Sequence, residues 1–182
     1  HGFFVLFMIF TIHLTGMVGC ASGAVTAAPI LPSDLMVNDP AFNTHNPNDV
    51  AFDGTNYLIT YANPLGGTSA IKISGRFVSK DGTVVGEPFT IDPMYDNSEV
   101  KVAWNGQKYL VIYESVYGNP HICGRFISPG GVVGNEFTIS DSSTSHQYID
   151  VSSNGANFLV TWTDGRDYSV NYGDIYGQLV NS

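Results

Sequence analysis

The sequence predicts an all-β protein made of repeated four-stranded antiparallel units of β-propeller type. Three observations lead to this prediction. A pattern of about fifty residues recurs three times after residue 34, turn dipeptides containing glycine lie between short apolar runs, and no window of that region has helical periodicity. Four-stranded units of about 40 to 50 residues are typical of propeller blades. We expect three units at about residues 35–86, 87–134 and 135–182.

The first block of each unit is a pair of strands joined by a tight turn. Its copies are Val50–Tyr61, Val102–Tyr113 and Val151–Trp162. An Asp-Gly or Asn-Gly pair separates the two apolar runs of each copy, as in hairpin turns that require a positive φ. The second run alternates and ends on an aromatic residue. We assign this residue to the core, with a ligand platform as the alternative. The three aromatic residues are Tyr61, Tyr113 and Trp162.

The second block supplies a third strand with a glycine at its centre. Its copies are Ile73–Val78, Ile122–Ile127 and Ile175–Val180. Because glycine weakens a strand, its recurrence there indicates a bulge or the close approach of another segment. The large apolar residue two positions after each glycine is assigned to the core. These residues are Phe77, Phe126 and Leu179.

The third block supplies a further strand. Its copies are Phe89–Ile91 and Phe137–Ile139, and Leu35–Val37 is interpreted as a degenerate first copy. Propellers contain about four to eight blades, so three units do not close a ring. Three arrangements stay open at this point: part of a longer propeller, a ring completed by another copy of the chain, and a three-fold β-trefoil.

The first 33 residues contain no Lys, Arg, Asp or Glu, and residues 3–12 form a run that is apolar except for Thr11. This run is short for a membrane span and suits the apolar region of a secretory signal. Small residues directly before Cys20 resemble a bacterial lipobox, in which the cysteine is acylated. We therefore expect a leader over residues 1–20, a lipid attached to Cys20, and a linker over residues 21–33. Simple secretion with cleavage near Val25–Ala27 and a retained anchor are the alternatives.

The charge balance excludes two classes of partner. Seven basic residues stand against 16 acidic residues, which gives a formal net charge of −9. Binding to a nucleic-acid backbone by counterion release and docking on anionic lipid through a basic patch both need the opposite balance. We expect no nucleic-acid partner, and we expect membrane contact through the lipid anchor alone.

One charged cluster stands out in the third unit. It comprises Asp164, Arg166, Asp167 and Asp174, in a loop rich in Gly and Tyr. We interpret it as a structural Asp–Arg pair that ties neighbouring units together. A calcium site stays open because hard cations take several oxygens from one loop, and so does a carboxylate pair for glycoside hydrolysis.

The histidines and the second cysteine carry no recognisable metal or catalytic spacing. We expect His45, His121 and His146 to be exposed in loops. Cys123 is expected to be buried as a small apolar side chain. No cofactor is expected apart from the calcium alternative.

The third unit resembles tandem repeats of large secreted or lipid-anchored bacterial surface proteins. In those repeats G-x-N-Y-L-V-x-W-x-D-x-R leads to D-I-Y-G-x-x-V, and the matching residues here are Phe158–Asp164, Arg166 and Asp174–Gly177. The first two units depart from the pattern, with Asn63 and Glu114–Ser115 in place of the Asp/Arg pair. The resemblance implies a fold and a location, since that group of repeats has no single activity.

These observations predict an exported, lipid-anchored β-repeat protein that acts as a binding or assembly module at the cell envelope. Its expected partner is an envelope protein or a glycan, and self-association is an alternative. A glycan-active propeller enzyme and a β-trefoil lectin are the alternative functions. An enzyme of this kind would carry acids on its innermost strands. Val50–Phe52 and Val102–Trp104 contain none, which favours binding.

Overall fold

The computed structural model describes residues 35–37, 46–64, 71–95, 99–115, 120–141, 146–167, 169 and 173–182. Within them the protein is all-β, which confirms the predicted fold class. The expected leader, linker and Cys20 lie outside the described residues, as does His45. In the part of the chain that the structure describes, no helix has the length and apolar character needed to cross a membrane.

The strands of the described residues form three antiparallel sheets. Sheet 1 contains β1 (Asn46–Phe52), β2 (Asn56–Pro64), β3 (Ile71–Ser79) and β4 (Val84–Tyr95). Sheet 2 contains β5 (Val100–Trp104), β6 (Tyr109–Ser115), β7 (His121–Ile127) and β8 (Val133–Ser140). Sheet 3 contains β9 (His146–Ser153), β10 (Phe158–Asp164) and β11 (Asp174–Val180). Strands pair in chain order within each sheet, as they do in propeller blades.

The sheets are shifted by one strand relative to the repeat units of residues 35–86, 87–134 and 135–182. Those units begin with the third block, whereas that block lies in β4 and β8, the last strands of sheets 1 and 2. The cause is the tight turn before each of these strands, in which Gly82 N donates to Ser79 O and Gly131 N donates to Ser128 O, both at 2.9 Å. A tight turn makes chain neighbours pair, so the strand joins the preceding sheet.

The predicted hairpin turns are confirmed. The side chain of Asp53 accepts hydrogen bonds from the backbone N–H groups of Thr55 and Asn56, both at 2.7 Å. Asn105 and Asn154 accept equivalent bonds in the other two sheets. The glycines that follow have a positive φ of 97°, 94° and 88° at Gly54, Gly106 and Gly155. Each turn thus combines a side-chain cap with a residue that tolerates this backbone conformation.

The three sheets stack face to face with sheet 2 in the middle. We call one face of each sheet its near face; the near faces carry Tyr57, Tyr109 and Phe158. We call the opposite face its far face; the far faces carry Leu58, Leu110 and Leu159. The far face of sheet 1 packs on the near face of sheet 2, and the far face of sheet 2 packs on the near face of sheet 3.

The repeated aromatic residues Tyr61, Tyr113 and Trp162 are all buried, which confirms their assignment to the core. No strand pairing joins one sheet to another among the described residues. The sheets therefore stack like propeller blades and do not share the single barrel that a β-trefoil requires. Closure of a ring is not part of the described structure.

Equivalent residues of the second block differ in burial between the three sheets. Phe77 is buried on the far face of sheet 1, and Phe126 is partly buried on the far face of sheet 2. The equivalent Leu179 of sheet 3 is 64 % exposed, so its assignment to the core is wrong. The reason is that the far face of sheet 3 has no sheet packed against it within the described residues.

The predicted close approach at the mid-strand glycines is confirmed in two of three sheets. A Cβ atom on Gly75 would lie 2.7 Å from Cζ of Phe89, and one on Gly124 would lie 2.9 Å from Cζ of Phe137. In both sheets an aromatic ring from the fourth strand therefore covers the glycine. At Gly177 the nearest atom, the Val160 carbonyl oxygen, would lie at 3.4 Å, and none of the described aromatic rings covers the site.

Candidate functional site

The charged residues predicted in the third unit lie at the end of sheet 3 where β10 finishes and β11 begins. We call Glu114, His146, Asp164, Arg166 and Tyr176 the loop-end cluster. Its members come from β6 of sheet 2, from β9, β10 and β11 of sheet 3, and from the turn after β10. The cluster therefore sits where sheets 2 and 3 meet.

His146 is at the centre of this cluster. Its backbone N–H donates to Glu114 Oε1 at 3.1 Å, and its Nδ1 lies 3.6 Å from the same oxygen. On the other side of the ring, Nε2 lies 3.2 Å from Ser140 Oγ and 3.7 Å from Asp164 Oδ2. The side chain is completely buried, so the expectation that His146 is exposed is wrong. The same expectation is wrong for His121, which begins β7 and is half-buried. β9 begins at His146, which places the ring between two packed sheets instead of in a loop.

Asp164 forms the predicted pair with Arg166. Its carboxylate accepts hydrogen bonds from the Arg166 backbone N–H at 2.8 Å, from Arg166 Nη2 at 2.6 Å and from Trp162 Nε1 at 3.3 Å. The hydrogen bond that the Arg166 side chain donates to Asp164 raises the pKa of Arg166. Asp164 ends β10 and Arg166 lies in the turn that follows it, so this pair does not tie neighbouring units together. At this end of the sheets, Glu114 and Ser140 of sheet 2 are the residues that contact His146 of sheet 3.

The remaining predicted residues lie beside this pair. The Arg166 guanidinium lies over the Tyr176 ring, 3.9 Å from its centroid, and the Trp162 ring is stacked with it at 6.4 Å between centroids. Its hydroxyl donates to Asp167 Oδ2 at 3.4 Å. Asp174 stands opposite Asp164 in the pairing of β10 with β11. The structure thus brings all four predicted residues of this loop to one place.

The chemistry of the loop-end cluster is that of a packing contact. Both oxygens of Asp164 already accept N–H donors, so a calcium ion would have to displace the Arg166 guanidinium. Glu114 and Asp164 are buried, whereas a glycoside hydrolase must present two carboxylates to its substrate. The Tyr176 ring packs against Arg166 and Trp162, so within this cluster it does not stand free as a platform for a sugar.

A second polar cluster joins sheets 1 and 2 around Arg125. Its Nη2 lies 3.0 Å from Asp92 Oδ2 of sheet 1 and 3.3 Å from Glu136 Oε2 of sheet 2. Its Nε donates to the Tyr113 hydroxyl at 2.9 Å, and that hydroxyl donates to Glu136 at 2.6 Å. Burial and then the hydrogen bond with Glu136 raise the pKa of Tyr113 above its ordinary value. Such networks specify which faces pack together more than they add stability.

One group of described residues has metal-ligating side chains close together. Ligand atoms of His121, Cys123 and Glu136 lie within 4.8 Å of one another. Cys123 is buried, as predicted, and burial raises the pKa of its thiol to about 12, so the thiol is neutral near pH 7. Because Arg125 already places its positive charge on Glu136, this group is poorly suited to a divalent cation.

The sequence predictions missed His146, Glu114 and Arg125. A signal existed for Arg125, since Arg76 holds the same repeat position and Gln178 replaces it in the third unit. Glu114 interrupts an otherwise apolar run, which could have marked it as a buried acid with a partner. His146 carried no signal, because its burial depends on the start of β9.

Among the described residues, both outer faces of the stack carry exposed apolar side chains. The near face of sheet 1 exposes three large side chains, and so does the far face of sheet 3. On sheet 1 they are Val50, Phe52 and Tyr57. On sheet 3 they are Leu159, Ile175 and Leu179. Clustered exposed apolar side chains are typical of interaction surfaces.

Comparisons of the chain with models of protein families, with curated proteins and with solved structures gave no match.

Proposed function

We propose that this protein is an exported, lipid-anchored β-repeat module that acts by binding or assembly at the cell envelope. Its binding surfaces are the near face of sheet 1 and the far face of sheet 3, and its partner is an envelope protein. The observation that carries the proposal is the exposure of Ile175 and Leu179, because the residues at the same repeat positions in sheets 1 and 2 pack against a neighbouring sheet.

Binding is favoured over catalysis because the clustered acidic residues are buried and hydrogen-bonded. Glu114 and Asp164, the two acids beside His146, are buried and hydrogen-bonded. Glu114 contacts His146 across the boundary between sheets 2 and 3. A protein partner is favoured over a glycan because the open surfaces are apolar faces of sheets. In the loop-end cluster the Tyr176 ring packs against Arg166 and Trp162, so this cluster offers a glycan no free aromatic ring.

Export and anchoring are supported by the sequence before residue 34. The apolar run at residues 3–12 and the small residues before Cys20 suit a lipoprotein leader. The test is metabolic labelling with a fatty acid in a bacterial host that processes lipoproteins. We expect the chain to be labelled and to sediment with membranes, and Cys20→Ser to abolish both. Labelling that persists in Cys20→Ser would contradict the anchor.

The binding surfaces are tested by envelope fractionation of variants. Ile175→Asp combined with Leu179→Asp places two charges on the far face of sheet 3, and Val132→Asp places one on an exposed turn. We expect the first variant to leave the high-mass envelope fraction while staying membrane-anchored, and the control to remain in that fraction. If both variants remain in the high-mass envelope fraction, the far face of sheet 3 is not a binding surface.

A further inference from the structure

The near face of sheet 1 contains a polar cavity, at the end of β2 opposite to Tyr57. Its volume is about 150 Å³. That is several times the roughly 30 Å³ that one water molecule takes up in the liquid, and it is below the roughly 300 Å³ of pockets for drug-sized ligands. The described polar residues on its wall are Tyr61, Asn63, Lys72, Ser74 and Thr90. The cavity therefore has room for a small polar ligand.

The floor of this cavity is buried, whereas its rim is exposed. Tyr61, Asn63 and Ser74 on the floor are at most 4 % exposed. Pro88 and Thr90, which also line the cavity, are exposed. A ligand that enters beside Pro88 and Thr90 thus meets buried polar groups, and a hydrogen bond is electrostatically stronger there than in water.

One polar group on the floor has an unused hydrogen-bonding atom. Asn63 Nδ2 donates to Ser74 Oγ at 3.3 Å. Asn63 Oδ1 is buried and accepts no hydrogen bond in the part of the chain that the structure describes. Buried polar atoms in folded proteins are nearly always hydrogen-bonded, so such an acceptor indicates a missing donor. A hydroxyl group of a ligand in the cavity would supply that donor.

The cavity has a counterpart in sheet 2, because the third and fourth strands of the two sheets pair in the same register. Gly75 pairs with Phe89 in sheet 1, and Gly124 pairs with Phe137 in sheet 2. The residues directly before these two phenylalanines are Pro88 and Glu136. An acid in sheet 2 is thus replaced by an uncharged residue in sheet 1.

In sheet 2 this acid completes a network on the near face. Glu136 accepts a hydrogen bond from the Tyr113 hydroxyl at 2.6 Å, and its Oε2 lies 3.3 Å from Arg125 Nη2. Tyr61 and Arg76 hold the equivalent positions in sheet 1. There the buried Nε of Arg76 donates no hydrogen bond among the described residues, whereas Arg125 Nε donates to Tyr113 at 2.9 Å. Sheet 1 thus keeps the side chains that hold this carboxylate without supplying the carboxylate from its own fourth strand.

The charge around the cavity also favours an anion. Lys72 lines the cavity and holds the position that His121 has in sheet 2. Arg76 follows four residues later on the same face of β3, and its described hydrogen bond goes to a neutral group, the Val37 carbonyl oxygen. Two positive charges at one place stand out in a chain whose formal net charge is −9.

From these observations we infer that the cavity binds a small hydroxycarboxylate, which is a molecule or sugar unit with both a carboxylate and a hydroxyl group. The carboxylate takes the place that Glu136 has in sheet 2, so it lies beside Lys72 and Arg76. The ligand hydroxyl donates to Asn63 Oδ1. The inference goes beyond the proposed function and does not rest on it, because the exposed apolar side chains of this face lie toward the other end of β2.

Isothermal titration with four probes tests the class of ligand. The purified full chain carries Cys20→Ser, so that no acyl chain is attached. Lactate and glucuronate each have a carboxylate and a hydroxyl, acetate has no hydroxyl, and glucose has no carboxylate. We expect at least one of the two hydroxycarboxylates to bind, and acetate and glucose to bind much more weakly. The tighter binder of lactate and glucuronate shows whether the ligand is a free acid or an acidic sugar.

Two results of this titration would overturn the inference. The first is that neither hydroxycarboxylate binds. The second is that acetate or glucose binds as tightly as they do, because the cavity would then not recognise the two groups together.

A matched pair of lysine variants locates the binding. Lys72→Gln removes a charge from the cavity wall, and Lys80→Gln removes the same charge from an exposed turn. We expect Lys72→Gln to weaken the binding of the hydroxycarboxylate about tenfold or more, since a charge-assisted hydrogen bond is lost. Lys80→Gln should leave the affinity unchanged. Equal weakening by the two changes would mean that overall charge attracts the acid, and it would exclude the cavity as its site.

A variant that refills the cavity tests the comparison with sheet 2. Pro88→Glu gives sheet 1 the acid that sheet 2 has, and Pro88→Gln is the uncharged control of similar size. We expect Pro88→Glu to abolish binding of the probes and to melt at a higher temperature than Pro88→Gln without ligand, because Arg76 gains an ion pair. Equal affinity of the two variants for the probes would overturn the inference.

Discussion

Buried polar side chains determine which faces of the sheets meet. Glu114 reaches from sheet 2 to His146 of sheet 3, and Arg125 reaches from sheet 2 to Asp92 of sheet 1. Removal of one member of such a contact leaves the other buried and without its hydrogen bond, which costs about 1 to 3 kcal/mol. These contacts add specificity to apolar packing that is otherwise similar between the two pairs of sheets.

Glu114→Ala should lower the free energy of unfolding by about 1 to 3 kcal/mol, because the buried backbone N–H of His146 loses its acceptor. Chemical denaturation followed by tryptophan fluorescence measures the change, since Trp162 lies beside His146. Glu87→Ala is the control, as Glu87 is exposed on β4. Equal stability of the two variants would show that the contact with His146 contributes nothing.

Cys123 should make stability fall at alkaline pH. Burial raises the pKa of its thiol from 9.0 to about 12, so between these values the folded chain keeps a proton that the unfolded chain loses. The contribution of this group is complete below pH 9 and declines as the pH rises toward 12. The denaturation midpoint should drop more between pH 8 and pH 10 in the wild type than in Cys123→Ala. A parallel drop in both would contradict the raised pKa.

The strands and turns were largely predictable because local chemistry defines them. The Asp-Gly and Asn-Gly pairs form tight turns through contacts within four residues, and alternation identifies the core aromatic residues. The burial of His146 and the exposure of Leu179 were not predictable, since both depend on whether another sheet lies opposite. Repetition predicted equal burial for equivalent residues, which holds only inside the stack.

Matched substitutions at the repeated glycines test the role of the fourth strand. Gly75→Ala should destabilise the chain by about 1 to 3 kcal/mol, because the new Cβ would lie 2.7 Å from the Phe89 ring. Gly177→Ala should leave the stability of a single chain nearly unchanged, since the nearest atom would lie at 3.4 Å. Thermal melts compare the two glycine substitutions, each made in the chain that carries Ile175→Asp and Leu179→Asp. A similar loss at both positions would mean that β11 is already covered.

At the scale of the whole molecule, the described chain is a stack of three sheets with complementary open ends. Each internal contact joins a far face to a near face, and the same two kinds of surface remain exposed outside. Clustered exposed apolar side chains such as those on these faces are typical of interaction surfaces.

The most direct test of assembly through the open end of sheet 3 is amide hydrogen exchange in Asp174–Val180, the residues of β11. The wild-type chain is compared at one protein concentration with the variant that carries Ile175→Asp and Leu179→Asp. The internal reference is β2 (Asn56–Pro64). We expect exchange in β11 to be markedly slower in the wild type, because a bound strand would pair with its open edge, and exchange in β2 to be equal. Identical exchange in β11 of the two chains would contradict assembly at this end.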